Sequence, residues 1–470
     1  MIARACCEPP TAYCSLLLTA MGRLFGTDGV RGKAGEYPLD SPTIQRLGAS
    51  LARAMGGDTG NVRFLSGRDT RESGPWIEEQ LASGVRSQGG TLVSAGVIPT
   101  PAIAHLTPRM GYTAGVVISA SHNPFEDNGI KVFSGTGAKF TEALEDQVES
   151  IMADPSWALP AVVSNLQSAP DQIDYRTEYI AHLLRIFEPD ARQQGARIAI
   201  DCANGATTTV APGLFEKLGF EVRCIGCEPD GRNINLGCGS TAPELLARTV
   251  VSGGYRIGIA YDGDGDRAIL VDANGRIVDG DAVMLMCAKR MKTEDRLKRN
   301  AVVATVMSNI GLEIALRQAG IETIRCPVGD KYVMEEMIRR DLSLGGEQSG
   351  HVIFADYLFT GDGLATSLNV LRAMAATGRE LADLASDLTK YPQVLLNLRI
   401  DRKVDLKTIP SVASVLASVE SRLGANGRLL VRYSGTEPLL RVMLEGQDEA
   451  QIRKWGEEII EAVKKHAGTN

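Results

Sequence analysis

From Asn61 onward the chain alternates short apolar runs with longer amphipathic ones, and this alternation restricts its fold more than any other feature. "VRFLSG" precedes "GPWIEEQLASGVRSQGG", "TLVSAGV" precedes "PTPAIAHLTPRMG", and "RIAIDCANGA" leads through "PGLFEKLG" to "FEVRCIG". Farther on, "AVVATVM" precedes "IGLEIALRQAG", and "ETIRCPV" precedes "DKYVMEEMIRR". Strand-length runs separated by helix-length ones predict α/β units with mixed, mostly parallel sheets covered by helices. Open sheets of this kind take ligands beyond the carboxyl ends of their strands, so polar loops just after strands are where chemistry is expected.

At about 100–200 residues per domain, 470 residues make three or four domains. The stretch "DPSWALPAVVSNLQSAP" reads as a linker, and further seams fall near 272–279 and 389–393. The expected division is an extension over 1–20, α/β domains over 21–170, 171–275 and 276–390, and a last domain over 391–470. That last segment differs in style, with "VLLNLRI", a helix, two strands around "RYSGTEP" and a terminal helix, and is expected to be α+β. The first twenty residues lack strand or helix periodicity and make a poor secretory signal, and "MGRLFGTDGVRG" begins afresh at Met21. They are expected to be a disordered or misassigned extension.

A net charge of −7 argues against nucleic acid as a partner, since that would favour a basic face. No apolar run approaches the roughly 18 residues needed to cross a bilayer, so no membrane is expected and the cytoplasm is the default setting. Nine cysteines do not make a disulfide framework in a chain this long. Cys224 and Cys227 form a CxxC with no second pair at zinc spacing, and are expected to be a buried structural pair.

The polar loops carry the functional signal. In "YDGDGDRAILVD", Asp262, Asp264 and Asp266 alternate with glycine between two apolar runs. Three carboxylates so close repel one another unless a cation lies among them, and deleting one should relieve that repulsion. An EF-hand would need glycine after its third acidic position and glutamate at its twelfth, where Arg267 and Ala273 stand. Oxygen ligands with open positions suit Mg²⁺; a solvated acidic turn is the plain alternative.

In "VRYSGTEPLLRVMLEG", Arg432, Ser434, Gly435 and Thr436, with Arg441 on the next run, could cradle a phosphate, or simply turn a hairpin. In "LGGEQSGHVIF", Glu347 and Ser349 could read sugar hydroxyls, or could cap a turn. "FGTDGVRG" and "GRDTRESG" supply Arg31 and Arg68, each able to face an anion or to pair with a neighbouring aspartate.

"GVVISASHNPFEDNGIKVF" places Ser119, Ser121, His122, Asn123 and Pro124 between two buried-looking strands. Asn and Pro alone would explain a tight turn. With a cation site, a hydroxyl reader and a phosphate cradle elsewhere in the chain, Ser121 reads as the carrier of a phosphoryl group. Lys131 and His351 are the acid/base candidates, and a lysine base would need a depressed pKa. His122 and Asn123 support the loop, while His105, His182 and His466 lie in helix-like segments without a partner motif.

"GTDGVRG", "ISASHNPFEDNGIKVF", "DGDGDR", "GGEQSGH" and "RYSGTEPLLRV", in this order from Met21 to the C-terminus, resemble the α-D-phosphohexomutases. The resemblance implies four domains around a central cleft. It implies Ser121 as phosphorylated nucleophile, with phosphoserine, Asp262, Asp264 and Asp266 holding one Mg²⁺ per chain. Arg31, Lys131 and His351 would act in catalysis. Glu347 and Ser349 would contact the sugar. Arg432, Ser434, Gly435 and Thr436 would hold the distal phosphate, with Arg267, Lys331 and Arg441 also on the substrate.

The implied reaction converts α-D-glucosamine 6-phosphate to the 1-phosphate through a 1,6-bisphosphate that also serves as activator. The partners would be small sugar phosphates, with a homodimer allowed. Gln348 and the "ISASHNP" form resemble the glucosamine branch; the glucose and mannose branches are the alternative. Lys331 departs from the arginine common in that branch, and residues 1–20 have no counterpart. A sugar-phosphate-binding protein with a silent site, and a phosphatase using an aspartate nucleophile, are the readings from other classes.

Overall fold

The computed structural model describes residues 23–467 apart from 27, 57–60, 160–168, 191–192, 401 and 435–437. The expected extension and the predicted phosphate-loop residues Gly435 and Thr436 lie outside the described residues.

Three sheets follow one plan. The first orders Val30–Lys33, Asp127–Ser134, Ala114–Ile118, Arg63–Arg68, Thr91–Val97 and Asp171–Gln172. Its inner strands Arg63–Arg68, Thr91–Val97 and Ala114–Ile118 are parallel, whereas Asp127–Ser134 returns antiparallel along Ala114–Ile118. Asp171–Gln172 joins the edge of this sheet, so the chain leaves the first unit only after Gln172, two residues beyond the expected boundary at 170.

In the second sheet Arg197–Asp201 lies parallel to Glu221–Ile225 and Ile257–Tyr261, and Ala268–Asp272 returns antiparallel. In the third, Ala301–Thr305 lies parallel to Glu322–Cys326 and Leu344–Gly346, and Val352–Phe354 returns antiparallel. Each unit therefore ends a parallel strand in a hairpin. The three hairpin loops are 119–126, 262–267 and 347–351, the same three loops that the polar motifs singled out.

The parallel strands are apolar because both faces are covered. Ala114–Ile118, Ile257–Tyr261 and Ala301–Thr305 are buried at every position, as is the antiparallel Ala268–Asp272. Helices start where a side chain can take an orphan amide. Asp279 caps Gly280–Thr293, Asn309 caps Ile310–Gln318, and Asp362 caps Gly363–Thr377.

One apolar cluster runs from Leu65 to Leu388 and joins the first three units. The last unit keeps its own core of Val394, Leu398, Val412, Leu440, Val442, Ile452 and Ile459. There Gln393–Arg399, Leu439–Glu445 and Arg428–Tyr433 form an antiparallel sheet against the helices Pro410–Leu423 and Glu449–Ala467. The architecture is three α/β units and one α+β unit, as the alternation and the change of style predict.

One expectation needs correction. Cys224 and Cys227 are half-buried rather than buried, and are joined as a disulfide, with Cys202 Sγ 3.9 Å from Cys224 Sγ. The cause is topology: Glu221–Ile225 is the edge strand of its sheet and is not covered on both sides. His105 and His182, which have no partner motif in sequence, stack on each other with ring centroids 3.9 Å apart. They come from helices Thr100–Arg109 and Arg176–Leu183, which only the fold brings together.

Candidate active site

The loops of the first two hairpins meet. Ser121 Oγ donates to Asp262 Oδ2 at 2.6 Å, and His122 Nδ1 lies 3.2 Å from the same hydroxyl. Ser121 sits at φ +53°, a left-handed conformation that costs a non-glycine residue and is retained where surroundings impose it. Here the surroundings are specific. The Ser121 amide donates to Ser119 Oγ, and its carbonyl accepts from Arg71 Nη2 at 3.2 Å and Asn235 Nδ2 at 3.0 Å. Both side chains also bind the Asn123 carbonyl, and Asn123 Nδ2 ties the loop to Asp127.

The alternating glycines explain how the loops approach so closely. A Cβ on Gly263 would fall 2.6 Å from the Ser121 carbonyl oxygen, so only glycine fits there. Gly265 adopts φ +74°, which lets the loop fold back and bring the aspartates together.

Asp262, Asp264 and Asp266 are all buried, with ligand oxygens within 4.8 Å of one another. Their environments differ. Burial pushes the Asp262 carboxyl well above the usual range, and the charges of Asp266 and Asp264 push it further. Burial also disfavours charge on Asp264, but Lys131 and hydrogen bonds from Lys131 and Thr100 outweigh it and hold that carboxyl well below normal.

Lys131 Nζ lies 2.9 Å from Asp264, 3.0 Å from Asp28 and 3.5 Å from Asp266. Burial alone would lower its pKa; these carboxylates overcome that and hold it well above the usual value. The depressed pKa that a lysine base would need is absent. Lys131 is held as a cation by Asp28 and by two carboxylates of the candidate cation site.

A cleft of about 420 Å³ opens onto this cluster, lined among others by Asp28, Arg31, His122, Asp266, Arg267, Asp330, Glu347 and His351. Arg31 pairs with Asp28. Arg267 is held charged, because Asp266, Asp262 and Glu347 outweigh its burial. His122 is held neutral at about 4 by burial and by Arg267 and Arg31. His351 lies on the cleft floor with Nε2 3.3 Å from Asp330 and accepting from the Gly361 amide. Glu347 accepts from the Gly329 amide and from Ser349 Oγ.

Several predicted residues stand elsewhere. Lys331 is buried against Glu145 at 3.0 Å, and it is its neighbour Asp330 that lines the cleft. The helix Asp330–Arg340 turns consecutive side chains to different faces, so the positive charge read toward the substrate instead ties the third unit to the first. Arg68 pairs with Glu78 at 3.5 Å. Arg432 and Arg441 are cross-strand partners in the last sheet, and Ser434 follows the strand; none of the described residues of that unit lines the cleft.

Sequence reading missed Thr100, Arg71, Asn235, Asp28 and Asp330. Thr100 had a signal, since "PTPA" opens a helix directly after a strand. Asp28 and Asp330 stand inside motifs that were read for their basic residues instead.

The acidic cluster suits a cation. Asp264 Oδ1 and Asp266 Oδ1 are buried without a hydrogen-bond partner among the described residues, an arrangement that costs free energy unless something binds there. With Asp262 and Ser121 Oγ the donor set is all oxygen, which suits a hard divalent ion.

All four domain models of one family match in order. Phosphoglucomutase/phosphomannomutase alpha/beta/alpha domain I matches residues 22–158, domain II 177–275, domain III 279–391, and the C-terminal domain 395–462. The phosphoglucosamine mutase of Syntrophotalea carbinolica is 46% identical over 448 residues, 95% of this chain and 98% of that protein. That of Syntrophus aciditrophicus is 46% identical over 450 residues, 95% of this chain and all of that protein. A phosphoglucomutase/phosphomannomutase family protein from Burkholderia thailandensis shares the fold with a TM-score of 0.77 at 23% identity, covering 95% of this chain and 98% of its own. The N-acetylphosphoglucosamine mutase of Aspergillus fumigatus, solved with GlcNAc-6P and magnesium, aligns with a TM-score of 0.63 at 16% identity over 98% of this chain and all of its own. On near-full-length identity to curated relatives and four matching domains, the chain belongs to the phosphoglucosamine mutases, within the phosphoglucomutase/phosphomannomutase family of α-D-phosphohexomutases.

Proposed function

We propose that this mutase interconverts α-D-glucosamine 6-phosphate and α-D-glucosamine 1-phosphate through phosphorylated Ser121 and a 1,6-bisphosphate, in the cytoplasm, feeding UDP-N-acetylglucosamine synthesis. The observation that carries the reading is Ser121 Oγ at 2.6 Å from Asp262, on a strained loop that opens to a cleft lined by cations.

Phospho-Ser121 transfers its phosphoryl group to the sugar 1-hydroxyl: the bond from phosphorus to Oγ breaks as the bond to O1 forms. The bisphosphate then reorients, and Ser121 Oγ takes back the phosphoryl group from the 6-position. Ser121, Asp262, Asp264 and Asp266 would hold one Mg²⁺, which when bound supplies Lewis-acid stabilisation of the phosphoryl oxygens.

This chain's own residues do the remainder. Lys131, Arg31 and Arg267 stabilise charge on the transferring group, since all three are cations beside the cleft. Lys131 and His351, both beside the acidic cluster, are the candidates to take the proton of the attacking hydroxyl. His122 holds the loop through Ser121 Oγ. Glu347 and Ser349 read sugar hydroxyls. Arg432, Ser434, Gly435, Thr436 and Arg441 hold the distal phosphate once the last unit approaches the cleft.

A coupled assay on glucosamine, glucose and mannose 6-phosphates, with and without Mg²⁺, tests this. The highest rate is expected on glucosamine 6-phosphate with Mg²⁺. A highest rate on mannose 6-phosphate would overturn the substrate assignment.

A further inference from the structure

The segment "VDGDAV" carries a second aspartate–glycine–aspartate that none of the chemistry above uses. It sits where the third hairpin loop meets the connector to the last unit. Gly280 donates its amide to the Gln348 carbonyl, and a Cβ there would fall 2.0 Å from the Glu347 carbonyl oxygen. The 347–350 loop thus rests directly on the start of the helix Gly280–Thr293.

Asp279 reaches both ways. Its Oδ2 accepts from Gln348 Nε2 at 3.3 Å and pairs with Lys390 Nζ at 2.6 Å. Lys390 belongs to the connector, whose next residue is gripped at both backbone polar atoms. Asn309 accepts from the Tyr391 amide at 3.0 Å and donates to its carbonyl at 2.9 Å. Asn309 also donates its own amide to Asp281 and its side chain to Glu445 in the last sheet, where Arg428 in turn pairs with Glu445. Asp279, Gly280 and Asp281 are therefore in touch with the loop assigned to the sugar and with the chain that sets the phosphate-binding unit.

We propose that Asp279 is a positioning residue that couples the sugar-reading loop to the setting of the last unit, through Gln348 on one side and Lys390 on the other. This rests on the functional reading above, in which Glu347 and Ser349, on either side of Gln348, read the sugar and the last unit holds the distal phosphate. Gln348, which resembles the glucosamine branch in sequence, is then held in its working orientation by a carboxylate that also senses where the connector lies.

The test is a mutant cycle read as kcat and KM on glucosamine 6-phosphate and glucose 6-phosphate. Asp279→Ser keeps a helix cap but reaches neither partner. It is expected to lower kcat/KM for glucosamine 6-phosphate about tenfold and to shrink the preference over glucose 6-phosphate, which a merely structural role would leave unchanged. Lys390→Met is expected to raise KM about threefold in the native background and to add nothing in Asp279→Ser, while Lys390→Arg keeps native values.

An equal loss on both sugars, or a full Lys390→Met effect persisting in Asp279→Ser, would overturn the proposal. Should Asp279→Ser fail to fold, Lys390→Met combined with Gln348→Leu decides it: non-additive effects support the coupling and additive ones refute it. A native enzyme that turns over neither sugar would instead sink the functional reading, and this inference with it.

Discussion

Asp264 faces Lys131 at 2.9 Å while Asp262 faces the hydroxyl of Ser121, so two aspartates separated by one glycine have opposite electrostatic histories. Asp264 is paired; Asp262 is crowded by like charge. The stability effects of removing them should therefore have opposite signs. Asp264→Ala leaves a buried lysine with only Asp28 and Asp266, and is expected to cost about 2 kcal/mol. Like-charge repulsion alone leads instead to the expectation that Asp264→Ala leaves the fold largely intact; the pairing with Lys131 is the reason for the opposite sign. Asp262→Asn should be neutral or stabilising in metal-free protein. Both should abolish turnover, and denaturant unfolding in chelator checks the contrast.

Gly263→Ala places a methyl group against the Ser121 carbonyl and the side chains of Ile234 and Asn235. The two loops must separate to admit it. An expected loss of about 1–3 kcal/mol in stability should accompany a much larger loss of kcat, because the reacting groups are displaced. Unfolding curves and single-turnover kinetics on the same variant separate the two effects.

Asn235 donates to the carbonyls of both Ser121 and Asn123 and does not line the cleft. Asn235→Ala should lower kcat about tenfold with KM nearly unchanged, since it loosens the nucleophile and not the substrate. Steady-state kinetics check this. A rise in KM alone would place Asn235 on the substrate instead.

Asp281 gives a pH signature. Burial and then the charge of Asp279 raise its carboxyl to about 7. A carboxyl raised above its unfolded value contributes stability that is full below about 4 and is lost as pH rises through about 7. Asp281→Asn should flatten that decline between pH 5 and 8, with the variant gaining on the native protein at the alkaline end. Thermal unfolding across this range checks the sign.

Much of the candidate site was legible because each of its loops sets serine, aspartate or glutamate between two apolar runs. The three hairpins expose this pattern directly, at Ser121, at Asp262 to Asp266 and at Glu347 to Ser349. What stayed hidden depends on tertiary packing, within units as well as between them. Arg71 and Asn235 act on Ser121 through its carbonyl, and a backbone acceptor leaves no trace in sequence. Lys331 was read toward substrate because charge was visible and helix phase was not; Asp330, one residue earlier, faces the cleft. The cysteine pair is expected to be buried because Cys224 ends the β-like run "FEVRC", and only the sheet order reveals an edge.

The central claim is that Ser121 carries the phosphoryl group. The most direct test is intact mass after incubation with glucose 1,6-bisphosphate and Mg²⁺. One phosphoryl group per chain is expected on the native protein, confined to the peptide bearing Ser121 and absent from Ser121→Ala. A phosphoryl group that persists in Ser121→Ala, or that maps to an aspartate of the 262–266 loop, would contradict the account.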